Sequence, residues 1–111
     1  GETAAHREGR FGIRELDRVR VKGKDRPVTI HELMGFQEEL DSTRLGLQKA
    51  FGRGLERYRA RSWGEAEAHF REALDLVPDD KPSSLYMDRC RACRENPPPQ
   101  DWAWVTVFET K

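Results

Sequence analysis

The chain has 111 residues, of which 36% are hydrophobic and 36% charged, so it can form at most one small domain with a heavily charged surface. Its 20 basic and 20 acidic side chains cancel, and this balance argues against a nucleic-acid partner. No stretch approaches the roughly 18 consecutive apolar residues of a membrane-spanning helix, and the N-terminus lacks an apolar leader. We therefore expect a cytoplasmic segment without membrane contact, although a longer parent protein could be anchored elsewhere.

The N-terminal residues 1 to 10 show no hydrophobic period, so we expect them to be disordered. Gly1 is not preceded by Met, which suggests that this end is partly derived from a tag. On this interpretation the chain is an excised piece of a longer protein. Ordered structure is expected to begin near Phe11.

A β-hairpin is predicted over residues 11 to 35. Val19 and Val21 alternate with basic residues, which is the two-residue period of a half-buried strand. The same period returns at Val28, after the turn sequence GKDRP. The apolar phase shifts over residues 15 to 17, where we expect a bulge.

Residues 36 to 111 are predicted to form a helical module with a closing strand. Apolar residues recur at helical spacing from Phe36 onward, with acidic residues near the start of this first helix and arginines near its end. Ser62, with Glu65 in the capping-box position, is expected to begin a second helix that Pro78 ends. The expected buried face of this second helix consists of Trp63, Ala66, Phe70, Ala73, Leu74 and Val77. DDKPSS is read as a turn, and a third helix before NPPP is outlined by Leu85, Tyr86, Arg89, Cys90 and Cys93.

The last part of the chain is predicted to be extended. Three prolines at 97 to 99 favour a stiff link, and strand-forming residues predict a final strand over 103 to 109. Trp102 and Trp104 could anchor a peptide partner, but we expect a closing strand to bury at least one of them. The predicted fold class is α+β: an N-terminal β-hairpin, three helices and a C-terminal strand.

The first two helices resemble a tetratricopeptide repeat over residues 47 to 80. This resemblance implies a close helix pair, in which small residues let the backbones approach while aromatic residues fill the space around them. A lone repeat cannot bury its own face, so the third helix and the strands are expected to cover it. The matching positions are Gly54, Tyr58, Trp63, Ala66, Phe70, Ala73 and Pro78.

The stretch FGIRELDRVRVKGKDRPVTIHEL, residues 11 to 33, is similar to the last two strands of class III adenylate and guanylate cyclase catalytic domains. The later YRARSWGEAEAHFREAL, the R-C pair, the prolines and DW resemble the helical tail of some bacterial cyclases of this class. The resemblance implies that the parent is a lyase that makes cyclic AMP from ATP in intracellular signal transduction, with Mg or Mn as its cofactor. The family's metal-binding aspartates cannot be placed on this chain, and Asp17 and Asp25 do not replace them. We therefore expect no catalysis, no cofactor and no metal site here.

The resemblance implies a regulatory and protein-interaction role, which could include dimerisation. The expected partners are the catalytic domain of the parent chain, a second copy that pairs through the strand edges, and a peptide or protein at the helical module. The alternative is a fragment that retains nucleotide-phosphate binding through the VKGK turn, because the family places a lysine near the phosphates there. Lys22 and Lys24 are both candidates, and Lys24 is favoured because the turn leaves it exposed.

Other motifs have simpler explanations. Cys90 and Cys93 form C-x-x-C, but zinc needs four ligands and no second pair exists, so we favour packing in the core. His31 lies on the strand face opposite Val28 and Ile30, and we expect it at the surface. A phosphate or nucleic-acid patch is a weaker interpretation than helix-end charge for Arg53, Arg57, Arg59 and Arg61.

Overall fold

The computed structural model of the chain describes residues 10–21, 26–100, 102 and 106–108. It confirms the α+β class, since an antiparallel two-stranded hairpin precedes three helices. The strands and helices are β1 (Phe11–Val21), β2 (Val28–Phe36), α1 (Ser42–Arg59), α2 (Trp63–Leu76), α3 (Lys81–Glu95) and β3 (Thr106–Phe108), with a short 3-10 turn at Gln37–Glu39. The predicted disorder of residues 1 to 10 lies outside the described residues, apart from Arg10.

The hairpin contains two irregularities. Its register shifts between Glu15 and Asp17, which confirms the predicted bulge. A second shift, between Gly12 and Ile13, was not predicted. Near it Gly35 has a φ of 119°, a backbone conformation that glycine adopts without a Cβ clash.

The expectation that Val28 and Ile30 lie on a buried face is wrong. Their exposed fractions are 56% and 40%, although Val28 pairs with Val19, which is only 5% exposed. The strand order is β2-β1-β3, so β2 is an outer strand, and the helices bond mainly to β1. His31 is exposed, as expected.

The start of α1 and the cap of α2 differ from the predictions. Helix α1 begins at Ser42 rather than near Phe36, because Leu40 is extended and the side chain of Asp41 accepts a hydrogen bond from the Arg44 backbone N–H at 2.8 Å. The acidic residues before it therefore lie outside the α-helix. Helix α2 follows Ser62 as predicted, but the Ser62 side chain makes no capping hydrogen bond, so the capping box is wrong.

Helix α3 begins inside the segment that was predicted to be a turn. The Asp80 carboxylate accepts hydrogen bonds from the backbone N–H and the hydroxyl of Ser83, at 3.1 and 2.6 Å, and Pro82 fits the first turn. Leu85, one of the residues that outlined this helix in the sequence, is 47% exposed. This early cap gives α3 an extra turn on the side that meets the hairpin.

The core lies between the three helices and β1. Fully buried aromatic rings pack edge to face or stacked, as in the Phe51–Phe70 pair with ring centroids 5.3 Å apart. Leu16 of β1 packs against this cluster from outside. The buried members of the main cluster are Phe51, Leu55, Tyr58, Ala66, Phe70, Tyr86, Met87 and Cys90.

The C-terminal strand is described only in part. Backbone of Thr106–Phe108 pairs in parallel with Val19 to Val21 of β1. The rest of the strand predicted over 103 to 109 lies outside the described residues, so its full extent stays a prediction. Trp102 is half-buried and packs against the main core cluster, whereas Trp104 lies outside the described residues.

The closest approach between α1 and α2 occurs at Gly54. A Cβ on Gly54 would lie 2.6 Å from the Phe70 ring, which is fully buried and cannot move aside without displacing other rings. We expect Gly54→Ala to lower the free energy of unfolding by about 1 to 3 kcal/mol. Urea denaturation followed by circular dichroism measures this change.

Gly52 provides the matched control on the same helix. It is exposed, and a Cβ there would meet nothing within 4 Å. Gly52→Ala should therefore raise the free energy of unfolding by about 0.5 to 1 kcal/mol through helix propensity alone. If both variants had the same sign of effect, the close-packed helix contact would be contradicted.

Candidate functional site at the junction of the hairpin and the helices

Consecutive residues of β1 bond to the helices, and we call this set the junction: Arg14, Glu15, Leu16 and Asp17 with Arg59, Asp80, Tyr86 and Arg89. At its centre the guanidinium of Arg14 donates two parallel hydrogen bonds to the Asp80 carboxylate, at 2.9 and 3.0 Å. Arg14 is 4% exposed and Asp80 8% exposed, so this is a buried, bidentate ion pair. It joins two residues that are far apart in the sequence.

The neighbours of Arg14 complete its environment. Its Nε donates to Oε1 of Glu32 on β2 at 3.0 Å, and its guanidinium carbon lies 4.8 Å from the centroid of the Phe51 ring. Burial opposes the charge, but Asp80 and Glu32 outweigh this effect and raise the pKa of Arg14. The arginine therefore stays charged inside the fold.

Asp80 has matching electrostatics. Burial alone would raise its pKa, but the hydrogen bonds from Arg14 and Ser83 outweigh burial and hold the pKa of this carboxyl below its ordinary value. One carboxylate thus pairs with the hairpin and caps α3 at the same time. This double use fixes the start of α3 relative to β1.

The bulge provides the second connection. Leu16 has no partner in the β1–β2 register, and its carbonyl accepts a hydrogen bond from the hydroxyl of Tyr86 at 2.8 Å. The same hydroxyl lies 3.2 Å from Oδ1 of Asp17, whose other oxygen accepts from Arg89 at 3.1 Å. Burial raises the pKa of Tyr86, so this hydroxyl keeps its proton and remains a donor.

A third connection lies at α1. Glu15 pairs with Arg59, and the side-chain amide of Gln48 donates to the carbonyl of Ile13 at 3.0 Å. A cleft of about 240 Å³ lies between β1 and α1 beside these contacts, with Arg14 and Phe51 among its lining residues. The junction residues include no activated nucleophile. Their ion pairs and hydrogen bonds connect the hairpin to the helices.

The residues that the sequence singled out as sites lie elsewhere. Lys22 and Lys24 fall outside the described residues, so their contact with phosphate stays a prediction. Among the residues that the structure describes, no cluster of three or more His, Cys, Asp or Glu side chains could hold a metal ion. Cys90 is fully buried, and burial raises its pKa to about 12; burial also raises the pKa of the half-buried Cys93. Both are free thiols in surroundings that disfavour the reactive thiolate.

The tetratricopeptide positions mostly line the helix contact. Ala66, Phe70 and Ala73 are fully buried, Gly54 and Tyr58 are also buried, Trp63 is half-buried, and Pro78 is exposed just after α2. These placements suit a close helix pair. The assignment to the tetratricopeptide family itself stays a prediction.

Three of the four arginines near the end of α1 have separate partners. Arg57 lies 3.4 Å from Glu65, Arg59 pairs with Glu15, and Arg61 bonds to proline carbonyls. Sequence reasoning missed the roles of Arg59 and Arg61, and it missed Arg14 with Asp80. The D-K-P-S order could have indicated the cap on α3, but nothing local indicates a partner on β1.

The hairpin also carries a concentration of exposed apolar side chains. They are 40% to 67% exposed and lie on both strands. Exposed apolar side chains of this size can contribute to an interaction surface. The residues are Phe11, Ile13, Val28, Ile30 and Leu33. In the part of the chain that the structure describes, no helix has the length and apolar character needed to cross a membrane.

The fold and the junction define a small α+β module whose hairpin is fixed to a helical core. The chain is similar to the terminal-differentiation specific adenylate cyclase of Dictyostelium discoideum, with 32% identity over 81 residues, or 72% of this chain. It spans only 4% of the length of that protein. The similarity relates the chain to a segment of an adenylate cyclase. No protein-family model matches the chain, and no solved structure does.

The buried ion pair can be tested by removing one charge. We expect Asp80→Asn to lower the free energy of unfolding by about 3 kcal/mol, because it leaves Arg14 buried without its main counter-charge and weakens the α3 cap. Asp79→Asn is the matched control, since Asp79 is exposed and adjacent, and it should change stability by less than about 0.5 kcal/mol. Equal effects of the two substitutions would show that the pair contributes nothing.

The same pair predicts a pH dependence. The pKa of Asp80 is lowered by folding, so its contribution is fully present above the unfolded carboxyl pKa of about 3.9 and is lost as pH falls through the folded value. The stability difference between the wild type and Asp80→Asn should therefore shrink below about pH 4. Denaturation at neutral pH and at progressively lower pH measures this trend. A constant difference would contradict it.

Proposed function

We propose that this chain is a non-catalytic regulatory module at the C-terminal end of the catalytic domain of a class III nucleotide cyclase, whose parent makes cyclic AMP from ATP. Two observations support the proposal. The chain is related to a segment of an adenylate cyclase, and its hairpin resembles the last strands of such catalytic domains. The module passes conformational information to the catalytic domain.

The observation that carries the proposal is the junction. Arg14, Leu16 and Asp17 on one strand bond to helix residues through a buried ion pair and a buried hydroxyl. A hairpin held in this way cannot shift without shifting α3 or breaking charge-assisted bonds. A shift of the helices on binding or dimerisation would therefore also shift the hairpin.

The exposed residues of the hairpin are the proposed contact surface for a partner. Leu33 is 67% exposed and Val28 is 56% exposed, and β2 is an outer strand. The partner that we propose for this surface is the catalytic domain of the parent chain, and a second copy could use the same strand edge. Magnesium or manganese would be bound by that catalytic domain rather than by this chain.

A cyclase assay on the full parent tests the regulatory role. We expect removal of residues 37 to 111 to change cyclic AMP formation or dimerisation by at least about fivefold, the lower range of allosteric coupling. Tyr86→Phe is the conservative version, because it keeps the buried ring and removes its bonds to Leu16 and Asp17. It should change activity in the same direction by a smaller factor.

Arg53→Ala serves as the control in the parent, since Arg53 is exposed on α1 and makes none of the junction contacts described above. It should leave activity unchanged. Equal activity and equal dimerisation of the parent with and without residues 37 to 111 would contradict internal regulation and leave only a role in binding an external partner.

The non-catalytic assignment has its own test. We expect no cyclic nucleotide above the blank when this chain is titrated with ATP and magnesium or manganese, because the metal-binding aspartates of the family cannot be placed on it. Any turnover would defeat the assignment. Binding of ATP without turnover, lost in Lys24→Ala or Lys22→Ala, would instead support phosphate contact through the VKGK turn.

A further inference from the structure

The turn between α1 and α2 contains a residue in an unusual conformation. Arg61 has a φ of 67°, in the left-handed region that residues with a Cβ seldom adopt. Its backbone N–H donates to the carbonyl of Tyr58 at 3.0 Å, and the next N–H, of Ser62, donates to the carbonyl of Arg57 at 2.8 Å. This pair of bonds is the Schellman motif, whose left-handed position is usually glycine.

An arginine in this left-handed conformation costs conformational free energy that a glycine would not, and the contacts of its side chain offset this cost. The guanidinium of Arg61 donates one hydrogen bond to the carbonyl of Pro99 at 3.1 Å and another to the carbonyl of Pro98. Its central carbon lies 5.8 Å from the Trp102 ring centroid. The strained turn thus aims a charged donor at the proline segment that follows α3.

The indole of Trp102 enters an aromatic corner beside this arginine. Its ring centroid lies 5.3 Å from that of Tyr58 and 5.6 Å from that of Trp63, both at steep angles. The Trp102 backbone N–H donates to the carbonyl of Pro99 at 3.0 Å, which turns the chain so that the ring faces the corner. An aromatic surface plus a donor to proline carbonyls is the way proteins recognise polyproline segments.

We propose that Tyr58, Arg61 and Trp63 form a recognition site for a proline-rich segment that carries an aromatic residue, and that residues 97 to 100 together with Trp102 of this chain are its resident ligand. The hydrogen bonds are made to backbone carbonyls, and the aromatic corner accepts one aromatic ring. A segment of another protein with the same spacing between its prolines and its aromatic residue can therefore make the same contacts. A proline-rich ligand also loses little conformational entropy on binding.

The resident segment limits access to the site. It follows α3 directly, so its effective concentration at the site is high, on the order of millimolar. An outside ligand must compete with this tether and binds the native chain weakly. Without the Trp102 ring the aromatic corner is vacant, so the outside ligand can bind there.

The test uses the full chain with a labelled peptide that copies residues 96 to 102, NPPPQDW, followed by fluorescence anisotropy. We expect Trp102→Ala to bind this peptide at least about tenfold more tightly than the wild type does. Adding Arg61→Gly should weaken that binding about tenfold, although glycine relieves the strain of the turn. Adding Arg53→Ala instead should leave the affinity unchanged.

Two control peptides define the recognised chemistry. Replacement of the tryptophan by alanine, or of the prolines by serine, should weaken binding to Trp102→Ala at least about tenfold. If Trp102→Ala binds the peptide no better than the wild type, or if Arg61 makes no difference, the surface is only a packing site for the tail and the proposal is overturned.

A second measurement covers the case in which Trp102→Ala does not fold. Arg61→Gly alone should keep the helical circular dichroism while acrylamide quenches tryptophan fluorescence more strongly, because the segment is released from the corner. It should also bind the intact peptide no better than the wild type does, since the arginine is part of the site. Unchanged quenching, or tighter peptide binding, would overturn the proposal.

Discussion

The arrangement of the molecule depends on the buried ion pair between Arg14 and Asp80. Charges of this kind persist inside a protein only when their donors and acceptors are satisfied, and here Glu32 and Ser83 take up the remaining positions. The pair joins a strand near one end of the chain to the N-cap residue of α3, which lies 66 residues later in the sequence. Since the same carboxylate caps that helix, the position of the hairpin and the start of α3 are a single structural feature.

The junction packs against buried aromatic rings. The guanidinium of Arg14 covers Phe51, and Tyr86 both packs against Phe51 and Phe70 and donates its hydroxyl to the bulge of β1. Apolar burial and polar bonding are therefore provided by the same residues. Two helices cannot shield both of their apolar faces, and the third helix and β1 supply the missing cover. Because β1 covers part of the helix pair, the hairpin packs against the helices even though its other apolar side chains are exposed.

Sequence reasoning succeeded where the signal was local. The resemblance to a tetratricopeptide repeat predicted the close helix contact in which Gly54 meets Phe70, and the phase shift in β1 located the bulge. Alternation also showed which residues share a strand face, but it cannot show whether anything covers that face, and the face that carries Val28 is exposed. The partnership of Arg14 with Asp80 has no local signal, because either residue alone resembles an ordinary surface charge.

Two arginine contacts lie at opposite ends of α3. Arg14 fixes the middle of the strand to the cap of α3, and Arg61 holds the segment after α3, from which Thr106–Phe108 continues to pair beside Val19 to Val21. If an outside proline-rich ligand displaced the resident segment, β3 would lose its anchor while the ion pair kept the hairpin in place. The sheet would then gain a free edge at β1 without any rearrangement of the core. Under the two proposals taken together, occupancy of the aromatic corner would be linked to the strand that resembles the end of a cyclase catalytic domain.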